Sequence, residues 1–221
     1  MPLTQIIHIT AQYSNAVLVA MLPHVNDYAT KLELPIPLPI TQEQVQTFKV
    51  GHLEGYVAGG LWLTNDYCFT FGNGYIWNFK VFTNNPWLTE NPAGDWGHYI
   101  GKMNMTTNEA ITFARDELVK LGYDPKALHA DVAPTSFEGG NVLPQGPFPY
   151  CQIKWRKEAK TIEEKADASA ITVQVNMQDK TLLGLTVISP KVRQPEPDIE
   201  PKPELESDYR KRMQGTNAPP N

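Results

Sequence analysis

The sequence predicts an α+β protein made of two helix-plus-antiparallel-sheet units followed by a disordered C-terminal tail. Three observations carry that expectation. Two amphipathic helical segments are each followed by a run of short strands. The turns between those strands are tight, which pairs sequential strands antiparallel. The last stretch is rich in Pro and charge and has no apolar periodicity. The expected boundaries are a first unit at 1–100, a second at 101–189 and the tail at 190–221.

The first helix is expected at 14–32, where Val17, Leu18, Met21, Leu22, Val25, Tyr28, Ala29 and Leu32 form a 3.6-period stripe. Pro23 lies inside it and should kink it, because it removes one hydrogen bond and crowds the carbonyl of Val19. Pro35, Pro37 and Pro39 then force an extended exit. Strands follow at 44–50, 61–71 and 75–82, the last two flanking the hairpin signal Gly72-Asn73-Gly74. Side-chain parity favours a three-residue loop in which Phe71 pairs with Tyr75, Phe69 with Trp77 and Tyr67 with Phe79. Gly74 is then left-handed and marks a bulge.

The second helix has better punctuation. Thr106 and Glu109 have capping-box spacing. Ala110, Ile111, Ala114, Leu118 and Leu121 form the stripe, and Gly122 with Pro125 ends it. Strands are expected at 130–137, 150–156, 169–177 and 181–189, with a tight turn at Gln178-Asp179-Lys180. Cys151, Ile153 and Trp155, and then Ile171, Val173 and Val175, mark the inward faces. A shift of 89 residues lays Met21, Leu22, Val25, Ala29 and Leu32 of the first stripe on Ala110, Ile111, Ala114, Leu118 and Leu121. That phase match points to an internal duplication.

The tail at 190–221 has seven Pro and six basic against six acidic residues, so the net charge of −5 sits on the body. Such a segment cannot bury enough apolar surface to offset its ordering entropy. Its cluster Tyr209-Arg210-Lys211-Arg212 reads as solvated.

The second half, about 105–188, resembles a PepSY domain. The resemblance rests on Asn108-Glu109-Ala110 with Ala114 and Leu118, on Tyr150, Ile153 and Trp155, and on Val173, Val175 and Leu182-Leu183-Gly184. The first half is similar to a more divergent copy, and the pair is similar to exported bacterial proteins with tandem units of this type. The resemblance implies PepSY/cystatin-like units of one helix against an antiparallel sheet, a role in regulation or inhibition of proteases, and a periplasmic or extracellular location. It carries no catalytic residues. A glycine expected in the last hairpin turn is missing from Gln178-Asp179-Lys180-Thr181.

Composition narrows the function classes. The negative charge and pI near 5.5 argue against a nucleic-acid partner. No apolar run approaches the ~20 residues of a membrane helix, so membrane insertion is not expected. Residues 1–10 contain no basic residue before their short apolar stretch, and no signal peptide is legible. A cytoplasmic chain and one that starts after its signal both fit. The five His are scattered and the two Cys, Cys68 and Cys151, are far apart, so no metal site, disulfide or cofactor is expected. No Ser lies in a Gly-x-Ser-x-Gly elbow and no phosphate loop is present, which leaves no expected catalytic residue.

Two chemical leads remain. Asp66, Glu90, Asp95, Asp131 and Glu138 lie near aromatics, and a hydrolase would need two carboxylates at a defined separation. The aromatic hairpin offers the better lead. Parity leaves Trp62, Ile76 and Phe82 on the sheet face that the helix does not cover, beside Asp66, Cys68 and Lys80. That face is either buried between the two units or two protomers, or it binds a partner. Trp87 and Trp96, in the connector 83–102, are candidate covers for it. The expectation is a non-enzymatic binding or regulatory module for a protein or peptide. The alternatives are an assembly protein acting as a homo-oligomer, and a hydrolase with carboxylates near Trp87 and Trp96.

Overall fold

The computed structural model describes residues 7–53, 56–64, 66–72, 75–88, 96–161, 163–192, 199 and 204–216. In chain order the elements are β1 (Ile7–His8), α1 (Ala11–Lys31), β2 (Val45–Leu53), β3 (Tyr56–Leu63), β4 (Tyr67–Gly72) and β5 (Tyr75–Val81). Then come α2 (Thr107–Lys120), β6 (Ser136–Leu143), β7 (Gly146–Lys157), β8 (Ser169–Asn176) and β9 (Thr181–Ile188), and finally β10 (Glu204–Leu205) and α3 (Glu206–Thr216). Each half is thus a helix followed by four strands.

Local chemistry accounts for the helix ends. The Thr10 side chain accepts from the Tyr13 amide at the start of α1, which runs on through Pro23 without a break. Thr106 and Glu109 make the reciprocal capping box at the start of α2. Gly122 takes the left-handed conformation just after it, at φ 84°. The proline-rich exit of α1 is clamped by Asn26, whose amide group donates to Ile40 O at 3.0 Å and accepts from Ile40 N at 2.6 Å.

The eight main strands form one antiparallel sheet in the order β2-β3-β4-β5-β9-β8-β7-β6. The sheet is larger than either expected unit, because the last strands of the two halves pair with each other. Asn78 faces Thr186, Phe79 faces Leu185 and Lys80 faces Gly184 across this seam. Phe79 and Leu185 are both in the core, so joining the edges buries apolar surface as well as satisfying strand amides. Both helices pack on the same face, and their buried stripes share one core with that face of the sheet.

Three strand expectations change, one being that the strand expected at 130–137 lies at Ser136–Leu143 as β6. The single strand expected at 61–71 is two strands, because the chain turns at 64–66, where Asp66 is left-handed. The hairpin after β4 also differs from the three-residue loop. Gly72 pairs with Tyr75 and Phe71 with Ile76, while Thr70 pairs with Asn78, so Trp77 is the extra residue of a bulge. The bulge lets the two-residue loop keep both strand faces sorted, which parity counting alone excludes. The expected conformation of Gly74 lies outside the described residues. In the β8–β9 turn Lys180 takes the left-handed place of the missing glycine, and Asn176 Oδ1 accepts from the amides of Gln178 and Asp179.

The C-terminal region departs from the expected disorder among its described residues. Ile199 is buried in the core, β10 pairs antiparallel with β1, and α3 follows. Among the described residues its apolar contribution to the core is Ile199 with the partly buried Val192, too sparse for a composition argument to register.

The start of this region is also pinned by charge. Asp167 accepts from Lys157 and from Lys191, and lies 3.2 Å from His129 Nε2. Lys157, Lys191 and His129 hold its carboxyl far below the usual range. A carboxylate depressed in the folded state contributes stability that is complete above its unfolded pKa of about 4 and is lost as pH falls below it. The melting temperature of Asp167→Asn is therefore expected to lie below wild type at neutral pH, with the gap closing below about pH 4. A gap that persists unchanged in acid would show that the cluster does not act through this charge.

Candidate functional site

The candidate site is built on the face of the sheet opposite the helices. In β3, Leu61 and Leu63 are buried in the core, which turns Trp62 to the opposite face. Its indole lies over Gly60: a Cβ there would stand 2.8 Å from Trp62 Cη2. Lys49 Nζ sits 5.9 Å from the same ring. A second indole accompanies it. Trp77 packs beside Gly72, where a Cβ would stand 3.4 Å from its Nε1. Two partly exposed indoles thus lie beside glycine positions of neighbouring strands; at Gly60 a side chain would collide with the Trp62 ring, whereas at Gly72 it would only touch Trp77.

The three residues expected at this site differ in exposure. Trp62 is half-buried on the face, and Phe82, just after β5, is 42% exposed. Ile76 is in the core at 5% exposed. The bulge is the reason: it exchanges the faces of Ile76 and Trp77, so Trp77 replaces Ile76 at the site. A Gly residue opposite an aromatic was the one available signal for that exchange.

Between the indoles and the second half, the face is polar and internally bonded. Asn78 Nδ2 donates to Thr70 Oγ1 at 3.1 Å, and Thr186 Oγ1 donates to Asn78 Oδ1 at 2.8 Å, which carries one network across β4, β5 and β9. Lys80, Gln152, Thr172, Gln174 and Thr186 line a trough of about 260 Å³ there.

The two halves of this face are not alike. Over the second half the connector lies against the sheet. Asn85 is fully buried and its Nδ2 donates to Val81 O at 2.9 Å and Gln174 Oε1 at 3.3 Å. Trp87 and Trp96 stand edge-on to Phe148, and Tyr99 stands edge-on to Tyr150. The indole N–H of Trp87 is buried with no hydrogen-bond partner among the described residues. Trp87 and Trp96 therefore cover Phe148 in the second half, while among the described residues Trp62 and Trp77 in the first half have no such aromatic partners. The units meet edge to edge, so they do not bury this face against each other.

Of the carboxylates considered for hydrolysis, Asp66 and Glu138 are held by different elements. Glu90 and Asp95 lie outside the described residues. Asp66, in the β3–β4 turn, accepts from Thr83, whereas Glu138 sits on the edge strand β6 and pairs with Lys154 at 2.7 Å. Among the described residues no group of three or more His, Cys, Asp or Glu could hold a metal ion, and no helix is long and apolar enough to cross a membrane.

Cys68 and Cys151 are both free and buried, on opposite faces of the sheet. Burial pushes the Cys68 thiol up to about 11 and the Cys151 thiol up to about 12. Because the thiolate is the reactive form, both are expected to resist iodoacetamide at neutral pH until the chain unfolds. Intact-mass spectrometry reads this directly, and prompt labelling of Cys68 would mean that its face opens in the native state.

No family model matches the chain, no curated protein matches it, and no solved structure matches its fold.

Proposed function

We propose that the chain is a non-enzymatic binding module for a protein or peptide, built from two PepSY-like units that arose by duplication. The duplication reading is supported by the helices. At a shift of 89 residues the buried positions Met21, Val25, Tyr28 and Ala29 fall on Ala110, Ala114, Glu117 and Leu118, and the C-cap Leu32 falls on the C-cap Leu121. The four strands after each helix, and the pairing of β5 with β9, fit two related units joined by their last strands.

The binding reading is carried by one observation: Trp62 and Trp77 lie against glycine positions on a helix-free face. The connector supplies a precedent for the ligand. Over the second half, two short turn segments carrying Trp87, and Trp96 with Tyr99, dock on the same face. A partner segment of that chemistry would use Trp62 and Trp77 as its anchors, with the trough beside Lys80 taking polar groups.

Selection of a random-peptide phage library on the full chain tests this. Enriched peptides are expected to bind the double variant Trp62→Ala/Trp77→Ala at least about tenfold more weakly, since aromatic anchors typically contribute about 2 kcal/mol or more. Circular dichroism checks that the variant is folded. Peptides that bind both forms equally would place recognition elsewhere and overturn the assignment.

A further inference from the structure

On the helix side of the sheet, the exit of α1 and the flank of α2 leave a pocket of about 410 Å³ at one end of the seam. Tyr67, Val81 and Leu182 line it from the three strands that meet there, and Leu34 and Phe113 line it from the helices. Glu117 also lines it, with its side chain only 3% exposed. Its Oε1 is held by Lys120 Nζ at 2.9 Å, and no hydrogen bond among the described residues reaches its Oε2. A carboxylate this deep in apolar surroundings is costly unless both oxygens find partners.

The charges around the pocket have a sign. Lys120 Nζ also stands 3.5 Å from Glu33 Oε2, an exposed carboxylate that water solvates, so the one ammonium held to Glu117 is shared with a second group. Lys180 lines the pocket too, but it is exposed, and its field acts on Glu109 at the other end of α2. Burial pushes the Glu117 carboxyl above its ordinary range and Lys120 pulls it back only in part. A second cation would complete the compensation. Tyr67 and Phe113 add aromatic surface that attracts such a cation. The volume lies in the range of small-molecule sites.

We infer that this pocket binds an organic cation, a protonated primary amine on a short apolar body, with the ammonium on Glu117 Oε2 and the body against Tyr67, Val81, Phe113 and Leu182. The site is on the opposite side of the sheet from Trp62 and Trp77, so it stands or falls independently of the binding face. Glu117 was invisible to the apolar stripe of α2, although a Glu at a stripe position three residues after Ala114 was itself the signal.

The test is a titration of the isotope-labelled full chain with hexylamine, 1-hexanol and hexanoate at neutral pH, followed by amide NMR shifts. Hexylamine is expected to shift the amides of Glu33, Glu117 and Leu183 and to bind at least about tenfold more tightly than hexanol, because an ionic hydrogen bond is added. Glu117→Gln, which keeps the side-chain shape, is expected to remove that advantage, and Val81→Phe is expected to block all three probes by filling the pocket. Equal binding of amine and alcohol, preferential binding of hexanoate, absence of binding by any probe, or unchanged amine affinity in a folded Glu117→Gln would each overturn the inference. Should Glu117→Gln fail to fold, the selectivity series on the wild type and the Val81→Phe variant decide the matter.

Discussion

Phe79→Ala is expected to lower the unfolding free energy by about 3–5 kcal/mol and to unfold both halves of the chain in one transition. Phe79 is fully buried in β5, opposite Leu185 of β9, at the point where the two halves join. Its ring lies 5.4 Å from Phe69, 5.8 Å from Tyr67 and 6.4 Å from Tyr28, so it touches the sheet of the first half and the helix above it. Truncation removes the transfer free energy of a large side chain and leaves a cavity that the rigid β-ladder cannot close. Because one core spans both halves, the damage is shared. Urea unfolding followed by tryptophan emission and by far-UV circular dichroism checks this. Two separate transitions would show that the halves fold independently. A loss below about 1 kcal/mol would show that the seam packs more loosely than the structure requires.

Asn85→Ala is expected to cost about 2–3 kcal/mol and to release the connector from the second half. The Asn85 side chain donates to Val81 O, Gln174 Oε1 and Leu183 O, and its Oδ1 accepts from the Trp87 amide at 3.1 Å. Alanine leaves several of these groups buried without a partner, and an unsatisfied buried polar group costs more than the bond itself contributes. Trp87 and Trp96 would then lift from Phe148, which shifts their emission to longer wavelength and exposes apolar surface to a dye. Asn85→Asp provides the control. It keeps the shape but turns three donor contacts into repulsions between oxygens, so its loss is expected to be at least as large. Unchanged emission in both variants would mean that the aromatic contacts alone hold the connector.

Much of the fold was legible from local chemistry. The capping box of Thr106 and Glu109 and the left-handed Gly122 set the ends of α2, and each involves groups within one helical turn. The alternation of Cys151, Ile153 and Trp155 placed β7 with its core face correct, because a flanked central strand has one apolar side. The turn at 64–66 was misread although Thr64-Asn65-Asp66 carries turn chemistry, since the apolar runs on both sides of it read as one strand.

The candidate site was legible only in outline. Trp62 turns away from Leu61 and Leu63 as parity expects, but Ile76 and Trp77 exchange places through a bulge whose one trace in the sequence is a Gly opposite an aromatic. Glu117 was hidden because its burial is created by the exit of α1, Lys120 and the start of β9 together.

What the sequence by itself determined is the two helices α1 and α2, most of the strands after them with their apolar faces, and the polar turns between most of them. These depend on contacts between near neighbours, whose energies are written into spacing and side-chain type. Only the tertiary structure decided that two sheets become one, that the connector covers the helix-free face over the second half, and that a carboxylate lies in the seam. Those outcomes rest on pairs such as Asn78 with Thr186, separated by 108 positions. Their energy depends on which strand edge and which side chain arrive opposite, and no periodicity along the chain encodes that choice.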